Sequence, residues 1–194
     1  PAFTHRLLPG PLEVRPGNAA LFYLRAALGA GGFSASWKEV EQQWLDEATP
    51  GGPEPTAWHS NVRPLSELPL EKARAAAARF DLIVSQLIAR GTLRESCDWG
   101  RHIDELEGLD IIGLLLPDVQ EMRQIARMLL LRTRVALADG DYDRAIDHLR
   151  MNYRLAQNVG SDPILLCWLG GIAIASLGSY ALPELLAAPS SPNL

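Results

Sequence analysis

Between Pro163 and Pro183 the chain carries no charged residue. A run of this kind has two homes, the interior of an all-helical protein or the hydrocarbon of a bilayer, because ~20 apolar residues suffice to cross a membrane. Gly171, Ala175 and Ser179 fall four apart in it, a stripe of small residues that lets a neighbouring helix approach closely. No Lys or Arg follows Arg154, so the basic flank of a membrane span is missing on the far side. The amphipathic helices that precede the run need an apolar partner. The run is therefore expected to be a buried core helix. The rival is a membrane-associated envelope protein anchored by residues 164–182.

Those preceding helices are read from apolar spacing. Met122, Ile125, Ala126, Leu129, Leu130, Ala136 and Leu137 form a broad arc over 118–139, opposite Arg123, Arg127 and Arg134. An arc that wide predicts a helix covered on more than one side. Asp141 is set to cap a second helix to Asn158, with Tyr142, Ala145, Ile146, Leu149, Tyr153 and Ala156 inward. Upstream, Ala73, Ala76, Ala77, Phe80, Ile83, Val84, Leu87 and Ile88 share one face of a helix that Pro69 starts and Gly91 ends. Asn18 suits the N-cap of a helix over 19–28, and Ser36 with Glu39 forms a capping box for another carrying Trp37, Val40, Trp44 and Leu45. Residues 97–100 read as the bend of a short helix. No period-2 alternation of useful length occurs, so no sheet is expected.

The fold class that follows is all-α, antiparallel helical hairpins packed as a bundle or short solenoid. Pro1, Pro9, Pro11 and Pro16 make the first residues extended or coil. Pro50, Pro53, Pro55, Pro64 and Pro69 with Gly51 and Gly52 mark a long connection. The boundary is placed there, with residues 1–60 as an N-terminal extended segment and helical arm and 61–194 as the helical bundle.

Composition narrows the function classes. Two cysteines exclude a disulfide scaffold and a four-cysteine zinc site. A net charge of −5 argues against nucleic acid as a partner, since neutralising phosphates takes a basic face. Cys97 and Cys167 are read as two small buried hydrophobes or as a disulfide of an oxidising compartment. The compartment, cytoplasmic or cell envelope, stays open. The chain contains no P-loop, GxSxG, HExxH, CxxC or GxGxxG motif, and no catalytic residue, cofactor or metal is assigned.

The segment Gly140-Asp141-Tyr142-Asp143-Arg144-Ala145-Ile146 resembles the turn and second-helix start of a tetratricopeptide repeat, where a glycine turn precedes a small residue at the helix crossing. Ala145 stands at that crossing, and Leu129 and Leu149 stand where the family places large apolar residues. Arg132, Thr133 and Asn152 depart from its pattern. The likeness covers about one repeat of 34 residues, and implies a hairpin that must stack on others to bury its faces. Asn18-Ala19-Ala20, Cys97-Asp98-Trp99-Gly100 and the segment Arg132–Asp141 together also resemble a bacterial all-helical family, a resemblance that implies no activity.

Two groups of residues are candidates for chemistry. Arg132 falls within the apolar arc, His148 flanks the stripe of the following helix, and Asn152 sits at its centre. The three are read either as converging on an anionic ligand in a groove, or with Arg132 meeting a carboxylate such as Asp98 or Asp104. Asp98, His102 and Glu105 would share a face if their segment were helical, and with Trp58 and His59 they mark the enzyme alternative. The function expected is a non-enzymatic helical module that binds a protein or peptide through Arg132, His148 and Asn152.

Overall fold

Helix follows helix here, as the apolar spacing asks. This computed structural model describes residues 6–28, 33–46, 64–102, 105 and 116–188. The helices are α1 (Ala20–Leu28), α2 (Phe33–Asp46) and α3 (Leu70–Ala78). They are followed by a rod α4 assembled from Asp81–Ile83, Val84–Ile88 and Ala89–Thr92, and by α5 (Leu116–Ala138), α6 (Tyr142–Val159), α7 (Leu165–Ser179) and α8 (Leu182–Ala187). The all-α class holds.

The centre of the molecule is α5. It packs on α6 and α7 to one side and on α2 and α3 to the other, so Met122, Ile125, Ala126, Met128, Leu129, Leu130 and Leu131 are all buried. The α5–α6 turn is fixed by its residues. Gly140 adopts φ +73°, where a side chain would be strained. The Asp141 amide donates to the Ala136 carbonyl and the Gly140 amide to the Leu137 carbonyl, a pattern that closes a helix C-terminus. The Asp141 carboxylate then accepts the Arg144 amide at 3.1 Å and opens α6.

Several local expectations are corrected. The helix over 69–91 is broken at Phe80, with a turn of π-helix over Val84–Ile88. The break turns the Phe80 ring inward, 4.8 Å from Phe33 and 5.9 Å from Trp37 between centroids. Gly91 lies inside the helical segment, where a Cβ would sit 2.9 Å from the Tyr23 ring, so it permits a helix crossing and is not a cap. Helix α2 begins at Phe33, ahead of Ser36. Glu121 of α5 accepts the Ser34 amide at 3.0 Å and does the work expected of the capping box.

A parallel strand pair, β1 (Arg15–Asn18) and β2 (Arg94–Ser96), is also present. It was illegible because three or four residues around Pro16 and Gly17 show no alternation. The Asn18 side chain accepts the Ala20 amide at 3.0 Å, as its capping role predicts, and also the Asp98 amide at 2.9 Å. It thereby joins the start of α1 to the Cys97–Gly100 bend. Tyr23, Phe33 and Trp37 are buried in the same core as Phe80, Ile88 and Met122. The proline-rich boundary itself lies mainly outside the described residues.

Candidate functional site

Arg132 and His148 do meet. At the break between α3 and α4 the Ala77 carbonyl accepts the Phe80 amide at 3.2 Å, and Asp81 stands just beyond it. Arg132 Nη1 donates to that carbonyl at 2.8 Å and to Asp81 Oδ1 at 2.5 Å, while its Nε donates to His148 Nε2 at 3.3 Å. The side chain is 14% exposed. Its carboxylate among the described residues is Asp81 and not Asp98, which is turned to the Gly100 amide; Asp104 lies outside the described residues. Around this pair is a cleft of about 230 Å³ lined by Arg74, Asp81, Arg132, Asp139, Arg144 and His148 among others. Its guanidinium groups are each answered, Arg74 by Asp139 and Glu71, Arg132 by Asp81, and Arg144 by Asp141.

Burial, reinforced by the Arg132 and Arg144 charges, pushes the His148 imidazole down to about 3. The unfolded chain would take up this proton near 6.5. Stability from His148 is thus full above pH 6.5 and is lost as pH falls from there toward 3, at up to ~1.4 kcal/mol per unit. We expect His148→Gln to flatten the acid limb of melting temperature against pH between those values. An unchanged limb would mean that another group carries it.

Asn152 does not join them. It faces α7, where its Nδ2 donates to the Ile174 carbonyl at 2.9 Å, and a Cβ on Gly178 would collide with it. The expected convergence of three residues is therefore a pair, because position 152 is rotated on α6 toward the next hairpin. Sequence reasoning also missed Arg134. Placed on the polar side of α5 by its neighbours, it is wholly buried, and its Nε and Nη2 donate to Glu184 of α8 at 3.0 and 2.9 Å.

The other candidates are brought together less. His102 and Glu105 lie 4.0 Å apart with both side chains exposed, and Trp58 and His59 fall outside the described residues. Among the described residues no group of three or more His, Cys, Asp and Glu is placed to hold a metal. Both cysteines are free. Burial pushes the Cys97 thiol up to about 12 and raises that of Cys167, so neither is an activated nucleophile. Cys167 accepts a contact from Arg101, which also pairs with Asp162 and Asp118.

The uncharged helix departs most from expectation. Cys167, Gly170, Gly171, Ile174 and Gly178 of α7 are buried, whereas Leu165 is 69%, Trp168 58%, Leu169 52% and Ile172 63% exposed. One face is packed by α5 and α6 and the opposite face is bare. Beside it, between α6 and α7, runs a groove of about 430 Å³ lined by Tyr153, Ala156, Gln157, Gly160, Trp168, Gly171, Ile172 and Ala175, none of them charged. By length and composition residues 165–187 would cross a membrane, but the helix ends at Ser179 and resumes at Leu182.

No protein-family model matches this chain, nor does any curated protein or solved structure.

Proposed function

We propose that the chain is a non-enzymatic helical interaction module, a TPR-like hairpin stack whose binding surface is the outer face of α7 with the α6–α7 groove. Its ligand is an apolar helical segment of a protein or peptide. The observation that carries this reading is the exposure of Leu165, Trp168, Leu169 and Ile172 on one helix face, since soluble proteins seldom leave large contiguous apolar patches without a use for them. The groove beside them, floored by glycine and alanine and free of charge, suits a helix laid along it. The tight α5–α6 turn and the buried Ala145 at the crossing support the TPR-like reading, in which each hairpin offers its last face to a neighbour. We assign Arg132, His148 and Asn152 to holding the helices together, because Arg132 donates to the Ala77 carbonyl, to Asp81 and to His148 Nε2, and Asn152 donates to the Ile174 carbonyl.

Selection from a displayed library of amphipathic helices of about five turns tests the reading. Selected peptides should become helical on binding and lose at least tenfold affinity for the variant Trp168→Ser/Ile172→Ser, whose melting temperature should stay near that of the parent because both side chains are exposed. Equal affinity for parent and variant would contradict it. Flotation of the parent with phosphatidylcholine or phosphatidylglycerol vesicles, lost in the same variant, would favour the membrane-associated rival.

A further inference from the structure

Resting on that reading, we infer that the occupant of the α7 face is a second copy of this chain, packed antiparallel about a two-fold axis at Ile172. The exposed stripe is asymmetric along its length. Its N-terminal half carries Leu165, Trp168 and Leu169, and its C-terminal half carries Ala175, Ser176 and Ser179. Laid antiparallel with Ile172 facing its own copy, Leu165 falls opposite Ser179, Trp168 opposite Ser176, and Leu169 opposite Ala175. Each of these three large side chains then meets a small one, and the same contacts recur on both sides of the axis, as an isologous interface requires; Tyr180, 40% exposed, lies beyond the end of the paired stripe. A parallel pairing sets large against large and small against small.

The small half accepts burial without losing hydrogen bonds. Ser176 Oγ donates to the Ile172 carbonyl at 2.8 Å and Ser179 Oγ to the Ala175 carbonyl at 3.1 Å, and Ser179 also meets Tyr153 Oη at 3.0 Å. Hydroxyls satisfied within their own helix carry little desolvation cost at an interface. Charge permits the pairing too. The chain is net negative, but the stripe and the groove lining carry no charge, so self-association brings no like charges together. An anionic lipid surface would find no basic residue after Arg154. The stripe and the groove wall together supply about a dozen residues, fewer than the about 20–30 a side of a standard interface, so the dimer should be reversible on dilution.

Sedimentation equilibrium of the full chain from about 1 to about 100 µM should show the mass rising from one copy toward two. Because Ile172 meets itself, Ile172→Arg and Ile172→Glu should each stay monomeric, with melting temperatures close to the parent's, while an equimolar mixture of the two should dimerise again. A parent that dimerises while the mixture does not would overturn the two-fold register. Dimerisation of Ile172→Arg alone would place the interface elsewhere and overturn the inference. A parent monomeric at every concentration would overturn the second copy as occupant, whether or not it floats with vesicles. In that case selected peptide helices that still bind would leave the interaction reading standing, and their absence would end both.

Discussion

Replacing Arg134 by Met while Glu184 is kept should lower the stability of the protein by about 3–5 kcal/mol in equilibrium urea unfolding, the cost of stranding one partner of a buried ion pair. The Arg134 side chain has no exposure to water and grips Glu184 with two nitrogens, fork to fork. The pair staples α8 to α5 beside the apolar cluster of Leu130, Leu137, Ile146, Leu149 and Leu185. Removing the guanidinium leaves a largely buried carboxylate facing hydrocarbon. Removing both charges, as Arg134→Met/Glu184→Leu, should recover most of the loss, because apolar groups of similar volume replace such pairs at little cost. A single variant within 1 kcal/mol of the parent would refute this account of how α8 is held.

The second large effect concerns helix contact. Gly→Ala inside a helix ordinarily stabilises it by about 1 kcal/mol. At Gly171 the sign should reverse. A Cβ there would lie 2.7 Å from the Ala156 carbonyl oxygen and 3.0 Å from Gly160 Cα, both backbone atoms that a rotamer change cannot move. Helices α6 and α7 would have to separate, and overpacking of this kind costs about 1–3 kcal/mol. Gly171→Leu should prevent the two helices from docking at all. Ser176→Ala, on the bare face of the same helix, serves as the control and should change stability by no more than a few tenths of a kcal/mol. If Gly171→Ala stabilises the protein by about 1 kcal/mol, or leaves it as unchanged as that control, the close approach is not made.

These two positions also show what the sequence could and could not disclose. The helices from α5 to α7 were legible because long apolar stripes, a glycine turn and an Asp cap all point the same way. The glycines of α7 were legible as contact points. What they touch was not, since the stripe Gly171–Ala175–Ser179 serves a membrane helix and a packed hairpin equally. Arg134 reads as polar beside Arg123 and Arg127, and the helix that covers it, α8, lies 50 residues further along the chain. The capping of α2 by Glu121 and the pairing of Asn18 with the Asp98 bend depend on contacts about 80 residues apart, which no local pattern carries. At the candidate site, Arg132 was recognised as a cation that must find a partner. Its partner Asp81 became available only where α3 breaks, and no proline or glycine announces that break.

The chief error lay in the uncharged run itself. Charge was absent all round the helix, so neither its packed face nor its bare face could be told from the sequence, and both were expected to be buried. The structure separates them through size: Gly170, Gly171 and Gly178 lie within, and Leu165, Trp168, Leu169 and Ile172 without.

Hydroxyl-radical footprinting of side chains across a dilution series tests that separation most directly. Trp168 should be labelled in dilute solution and become protected as the chain is concentrated, while the wholly buried Met128 stays protected at every concentration. Trp168 protected as fully as Met128 at the highest dilution would mean that α7 has no free face, and the account would fall.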